Sequence, residues 1–247
     1  MGQAAGLLAP GIQLAPGELA AEALPDRLVQ HLRALRPRRG ERYVFLDGRG
    51  TRWAATVRDD RPLRFEVGEA EVVPALEPKL VLCLAPPKGD DLWQSVTQAT
   101  EVGAARIAFV RSEHAQIAKG QNVPIDRARR VSDASCEQCV RAWQVDIEDE
   151  WRSTAELLAR PGVHVVADEG LAGANPIGFV EGVPPSLRGV PVHLYVGPEG
   201  GWSDAEREAF RGKAFPLSLG SLVMRVPTAV VAGLHFLRLV SEHGSAR

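Results

Sequence analysis

Leu194-Tyr-Val-Gly-Pro-Glu-Gly-Gly-Trp-Ser-Asp-Ala-Glu-Arg-Glu-Ala-Phe210 runs from an apolar segment into a turn of three glycines and a proline, then into polar, helix-forming residues. The apolar segment predicts a buried strand. Ser203, with Glu206 three residues on, predicts a capping box that starts a helix. Glycines 197, 200 and 201 omit Cβ atoms where the chain must turn, and amides near a helix start lack intrahelical partners, so a ligand can approach this backbone closely. The sequence holds no G-x-x-x-x-G-K-[ST], and no G-x-G-x-x-G follows a predicted strand, which argues against a phosphate cradle. Taken alone, the turn is equally compatible with plain strand-to-helix punctuation.

A second loop of the same kind follows. Leu217-Ser-Leu-Gly-Ser-Leu-Val-Met-Arg-Val-Pro-Thr-Ala229 ends where Pro227 suits the first turn of a last helix, predicted to reach about Leu239. Upstream, Leu80–Ala85, Arg106–Val110, Val163–Ala167 and Val192–Val196 read as strands. Helices are predicted from Asp90 or Asp91, with Leu92, Val96 and Ala99 on one side, and from about Pro124 to Ala142. A short strand is placed near Phe215–Leu219. This alternation predicts an α/β domain with a mostly parallel sheet and helices on both faces. Both glycine loops, and Asp168-Glu-Gly170 after a third strand, then converge on one sheet edge, where open α/β sheets bind ligands.

The first seventy residues read differently. Residues up to about Glu18 form an extended lead-in without periodicity. Asp26 caps a short helix bearing Leu28, Leu32 and Leu35, which ends in the basic turn Arg36-Pro-Arg-Arg-Gly40. Arg42–Asp47 and Thr51–Val57 flank Gly48-Arg-Gly50 as a hairpin, and a further strand lies at Leu63–Val67. The expected organisation is a small β-rich domain over residues 1–73 and an α/β domain over residues 74–247.

Composition excludes several classes. With 45% apolar and 24% charged residues in 247, the chain is an ordinary globular protein, and a net charge of −2 puts the weight for any nucleic-acid contact on local basic clusters. Three cysteines in a chain this long favour a reducing cytoplasm. Cys136-x-x-Cys139 lacks a second pair or nearby histidines at ligand spacing, so no metal is expected. No apolar run approaches membrane-spanning length, and no membrane partner is expected.

The paired motifs, Gly197-Pro-Glu-Gly-Gly-Trp-Ser203 and Leu219-Gly-Ser-Leu-Val-Met-Arg-Val-Pro-Thr-Ala229, resemble the signature of the RsmE family in the SPOUT superfamily. Lys88-Gly-Asp, Ala99-Thr-Glu-Val-Gly103, Ser112-Glu113, and Glu137-Gln138 with Arg141 are further matches. The helix at His31–Arg36 and the hairpin at Gly40–Gly50 resemble the family's PUA-like RNA-binding module. The resemblance implies a trefoil-knotted SPOUT methyltransferase domain behind a PUA-like domain, a bent S-adenosylmethionine, a homodimer, and methylation of a uridine N3 in small-subunit ribosomal RNA. It places the cofactor around Asp168; at Gly197, Pro198, Glu199, Gly200 and Gly201; and at Leu217, Leu219, Gly220, Leu222, Met224 and Thr228. Leu219, Leu222 and Met224 would flank the adenine.

Uridine N3–H is weakly acidic, so transfer needs deprotonation or stabilisation of developing charge on the base oxygens. Arg225 is the candidate positive group. Glu199 is either a base or a carboxylate anchoring loop amides. Arg36, Arg38 and Arg39 are candidates for phosphate contact. Glu137 and Arg141 are candidates for substrate contact, or pair with each other one helical turn apart. Gln98, His114, Leu222 and Pro227 stand where the family commonly has lysine, arginine, arginine and glutamate. Alternative readings are a methyltransferase of the same fold acting on another RNA site, and a non-catalytic RNA-binding or ribosome-assembly protein. His164 and His193, inside apolar strands, read as core residues, and Trp202 as a packing residue.

Overall fold

The computed structural model describes residues 4–115, 123–168 and 189–243. The chain divides into two compact units, residues 1–75 with 133–144, and residues 76–132 with 145–247.

In the first unit, strands β1 (Ala5–Leu8), β2 (Gly17–Ala20), β3 (Arg42–Leu46), β4 (Thr51–Asp60) and β5 (Leu63–Val72) form one sheet in the order β1-β3-β4-β5-β2. Alternate residues of its long strands face one way. Tyr43, Phe45, Trp53, Ala55, Val57, Phe65 and Val67 are buried with Leu28 and Leu32 of helix α1 (Asp26–Leu35). This is the period-two pattern of a sheet covered on one face. Phe65 takes Tyr43 and Phe45 edge-to-face, at centroid separations of 6.0 and 5.4 Å.

Two expectations change here. The lead-in supplies both sheet edges: β1 runs parallel to β3 and β2 antiparallel to β5. Four-residue strands are shorter than any window in which periodicity can register, and their partners lie far along the chain. Asp26 does not cap α1 through its side chain. Pro25 occupies the N-cap position, and Asp26 contributes negative charge to the first turn. As expected, the helix stops before the basic turn, at Leu35, because Arg36 is left-handed (φ 53°) and Pro37 follows.

Helix α3 (Ile125–Gln138) ends four residues earlier than predicted, and Val140 adopts φ 53° beyond it. Glu137 and Arg141 are therefore not neighbours on a helix face. Glu137 Oε1 accepts the Leu8 N–H at 3.0 Å and lies 3.8 Å from His31 Nδ1, pinning β1 to the end of α3.

In the second unit, β6 (Leu80–Leu84), β7 (Arg106–Arg111), β8 (Asp146–Ile147), β10 (Val163–Ala167), β11 (Val192–Val196) and β12 (Phe215–Leu217) lie in the order β12-β10-β11-β6-β7-β8, all parallel. The short β9 (Arg152–Ser153) also pairs with β7. Within each strand, alternate residues serve different cores. Leu80, Leu82, Leu84, Leu194 and Val196 join one core with Leu92 and Val96 of α2 (Asp90–Glu101) and Val230 and Leu234 of α6 (Val226–His243). Val81, Cys83, Val166 and Tyr195 join the other with Leu157 of α4 (Thr154–Leu158) and Phe210 of α5 (Asp204–Phe210). Burial on both faces explains why these strands read as unbroken apolar runs. The expected α/β architecture with a mostly parallel sheet is thus the observed one. Among the described residues, no helix is long and apolar enough to cross a membrane.

His164 and His193 stack within this unit at 4.7 Å between ring centroids. His164 Nε2 faces the Arg160 carbonyl at 3.0 Å and so carries the proton, which leaves Nδ1 to accept from the Tyr195 hydroxyl at 3.0 Å. His193 Nε2 faces the Pro161 carbonyl at 3.3 Å, and its Nδ1 lies 4.0 Å from the Cys83 thiol. Both rings are therefore neutral. Burial lowers both pKa values, that of His193 to about 4, with repulsion from His164 adding to it. The unfolded chain binds more protons below the ordinary histidine value of about 6.5. The stabilisation is complete above that pH and is lost as pH falls towards about 4. Urea titrations across this window are expected to show stability falling with pH in the wild type, and a shallower fall in His193→Gln. Identical slopes for the two proteins would contradict this.

Candidate functional site

Adjacent strands of the second unit end in step. Ala167 pairs with Val196 and with Leu217, and Val196 pairs with Leu84, so the residues that follow leave the sheet at one level. Asp168, the Gly197 turn and the Ser218 loop therefore emerge together at the carboxyl edge. A cleft of about 650 Å³ opens there. Its size falls within the usual range for small-molecule sites.

The turn after β11 has a physical reason for its sequence. Gly201 adopts φ 68°, a left-handed conformation that L side chains rarely take, and a Cβ at Gly197 would come within 3.1 Å of Trp202 Nε1. Ser203 then caps α5: its hydroxyl accepts the Glu206 N–H, and the Glu206 carboxylate accepts the Ser203 N–H at 2.8 Å. Trp202 is buried against Phe210, 5.1 Å between centroids at 72°, so the turn is keyed to the core beneath it. Its Nε1 has no hydrogen-bond partner among the described residues.

Of the residues the sequence singled out, Asp168, Gly197, Pro198, Glu199, Gly200 and Gly201 all line the cleft. So do Leu217, Leu219, Leu222, Met224 and Arg225. Gly220 and Thr228 belong to the same segment but are not part of the lining, and Glu169 and Gly170 lie outside the described residues. Leu222 and Val223 are 77% and 87% exposed, an apolar tip on the loop, and Arg225 is exposed beside them. Glu199 Oε1 accepts the Lys88 N–H at 3.0 Å, tying the glycine turn to the loop before α2. His114 Nδ1 lies 3.2 Å from the carbonyls of both Gly200 and Gly201, so a histidine N–H steadies the turn.

Two charged lining residues were not anticipated. Asp91 lies in the first turn of α2. Arg207, one turn into α5, donates from Nε to Asp168 Oδ2 at 2.9 Å. The Ser203 capping box fixes where α5 begins, and with it the register of Arg207. That was the available signal.

The remaining candidates belong to the first unit. Arg36, Arg38 and Arg39 are exposed after α1, and the Arg38 N–H donates to Glu41 Oε2. Glu137 is occupied as described above. Arg141 is half-buried, and desolvation lowers its pKa from the ordinary value. Cys136 and Cys139 are not disulfide-bonded.

A parallel α/β sheet with a ligand-sized, glycine-walled cleft at its carboxyl edge defines a binding or catalytic domain. The comparisons make this specific. Residues 75–238 match the family model described as RNA methyltransferase domain, and the chain belongs to that family. It is similar to ribosomal RNA small subunit methyltransferase E of Synechocystis sp., 27% identical over 217 residues that cover 85% of this chain and 70% of the relative. The protein of the same name from Aquifex aeolicus is 28% identical over 220 residues, 83% of this chain and 88% of the relative. Among solved structures, a Legionella pneumophila methyltransferase in complex with SAM superposes with a TM-score of 0.78 at 23% identity, covering 96% of this chain and 98% of that one. The ribosomal RNA small subunit methyltransferase E of Neisseria gonorrhoeae, bound to S-adenosyl methionine, gives 0.76 at 22% identity with the same coverage. The family read from the two glycine motifs is the one these findings support.

Gly201→Ala keeps the chemistry of the turn and forces a Cβ into the left-handed region. It is expected to lower stability by about 1–2 kcal/mol, read as a fall in the urea midpoint at unchanged slope. An unchanged midpoint would mean that the turn relaxes at no cost.

Proposed function

We propose that this RNA methyltransferase uses S-adenosylmethionine to methylate a uridine N3 in small-subunit ribosomal RNA. In this reading it acts in the cytoplasm as a homodimer, with a knotted SPOUT domain over residues 74–247 and a PUA-like RNA-binding domain over residues 1–73. The observation that carries the reading is the cleft itself. Apolar walls stand between two glycine-bearing loops, with carboxylates and Arg225 at the polar positions.

The residues present suit the cofactor. Leu219, Met224 and Val196 offer apolar faces for a purine, and loop backbone groups offer donors and acceptors for its edge. Asp91, Asp168 and Glu199 outnumber Arg207 and Arg225, which favours a ligand of net positive charge. When bound, the cofactor supplies an electrophilic methyl on a sulfonium.

The chain's own groups do the rest. Arg225, exposed at the rim, stabilises negative charge developing on a uracil oxygen as the N3 proton passes to solvent water. Glu199 holds the Lys88 segment through its amide rather than taking a proton. Arg36, Arg38 and Arg39 contact RNA phosphates, and Glu137 and Arg141 support that surface. The exposed Leu222 and Val223 favour one further reading, a different nucleotide within RNA, because an apolar tip replaces a charge there.

Mass-spectrometric mapping of modified nucleosides in ribosomal RNA from a deletion strain is expected to show loss of one N3-methyluridine. Loss of another methylated nucleoside would favour the second reading, and an unchanged map would overturn both. Arg225→Ala is expected to lower kcat by about 100-fold or more, measured by methyl transfer at saturating cofactor. Glu199→Gln, which keeps an acceptor for the Lys88 amide, is expected to retain most activity, whereas Glu199→Ala loses it. Equal loss in both variants would assign Glu199 to proton transfer.

A further inference from the structure

The cleft is mostly apolar, yet it contains an ion pair. Among the described residues, Arg207 with Asp168 is the salt bridge whose two members both line it. The Asp168 side chain is 5% exposed and that of Arg207 36%. A nearly buried carboxylate is costly unless paired, and a well-packed apolar pair would serve a purely structural role as well or better. The geometry leaves the guanidinium only partly used. Its Nε is spent on Asp168, and Nη1 reaches no closer than 3.8 Å to Asp204, which is fully exposed. Guanidinium donors on a partly exposed edge match a carboxylate in bidentate fashion.

The surrounding charge narrows the ligand. A phosphate or an isolated carboxylate would meet Asp168 directly behind Arg207, with Asp91 and Glu199 elsewhere on the wall. A group that presents a carboxylate and, one carbon away, an ammonium would satisfy both members of the pair. We infer that Arg207, held by Asp168, receives the zwitterionic α-amino-acid end of the cleft's ligand. The assignment rests on the S-adenosylmethionine reading and extends it to residues outside both glycine motifs. Arg207 contacts the ligand carboxylate, and Asp168 acts as the positioning residue.

Calorimetry on the full chain with S-adenosylhomocysteine and with methylthioadenosine, which lacks the amino-acid end, tests this directly. The wild type is expected to prefer S-adenosylhomocysteine. Arg207→Ala is expected to lose about tenfold or more in affinity for it while binding methylthioadenosine as the wild type does. Arg207→Lys, a point charge without the fork, falls between them. Thermal melts of each variant check folding, and Arg207→Gln replaces Arg207→Ala should that variant not fold. Equal weakening of both ligands, or no weakening of either, overturns the assignment while leaving the cofactor reading intact. A wild type that binds neither ligand nor S-adenosylmethionine overturns both.

Discussion

Two-sided burial of a parallel sheet is the constraint from which the site follows. With apolar residues packed on both faces, β10, β11 and β6 cannot slip by one residue without exchanging the contents of two cores. Their register is therefore fixed, and so is the level at which Asp168, Gly197 and Ser218 leave the sheet. Loops starting from one level can share a wall. The cleft needs no element of its own; it is the space above strand ends that two cores hold in place.

Much of this was legible in the sequence because its signals are local. Unbroken apolar runs announce strands buried on both faces, and Ser203 with Glu206 announces the start of α5 in four residues. Glycines 197, 200 and 201 mark the turn for a reason that applies in any protein. What escaped reading depends on contacts made far along the chain. The strands Ala5–Leu8 and Gly17–Ala20 exist because Tyr43–Leu46 and Arg64–Val67 offer them ladders, and nothing within four residues can announce that. The role of Glu137 shows the same limit. Its spacing to Arg141 suggested a helical pair, but α3 ends at Gln138, and its carboxylate goes to an amide 129 residues away.

The site divides along the same line. Cofactor and catalytic residues were nominated within the two glycine-bearing motifs from spacing and resemblance, and of those nominated all but Gly220 and Thr228 line the cleft. Asp91 and Arg207 were not nominated, because each enters from a helix whose start brings it to the edge, and only the Ser203 capping box hinted at the register of Arg207. His114 is intermediate. Its departure from the family pattern was visible, but that its ring would bond the Gly200 and Gly201 carbonyls required the fold.

Trp202 connects the constraint to the chemistry. Its ring packs with Phe210, which in turn meets Tyr195 at 5.1 Å, so the glycine turn, α5 and β11 share one aromatic contact on the face opposite α6. Displacing that ring would move the turn and Arg207 together, since both hang from α5. The glycines allow the chain to turn tightly, but a permissive backbone does not choose a conformation. The buried indole beneath Gly197, the Ser203 cap, the Glu199–Lys88 hydrogen bond and His114 choose it. Preorganisation of the cleft is thus distributed over contacts that lie outside it, and charged groups such as Arg207 and Arg225 act from a wall whose position was set by packing.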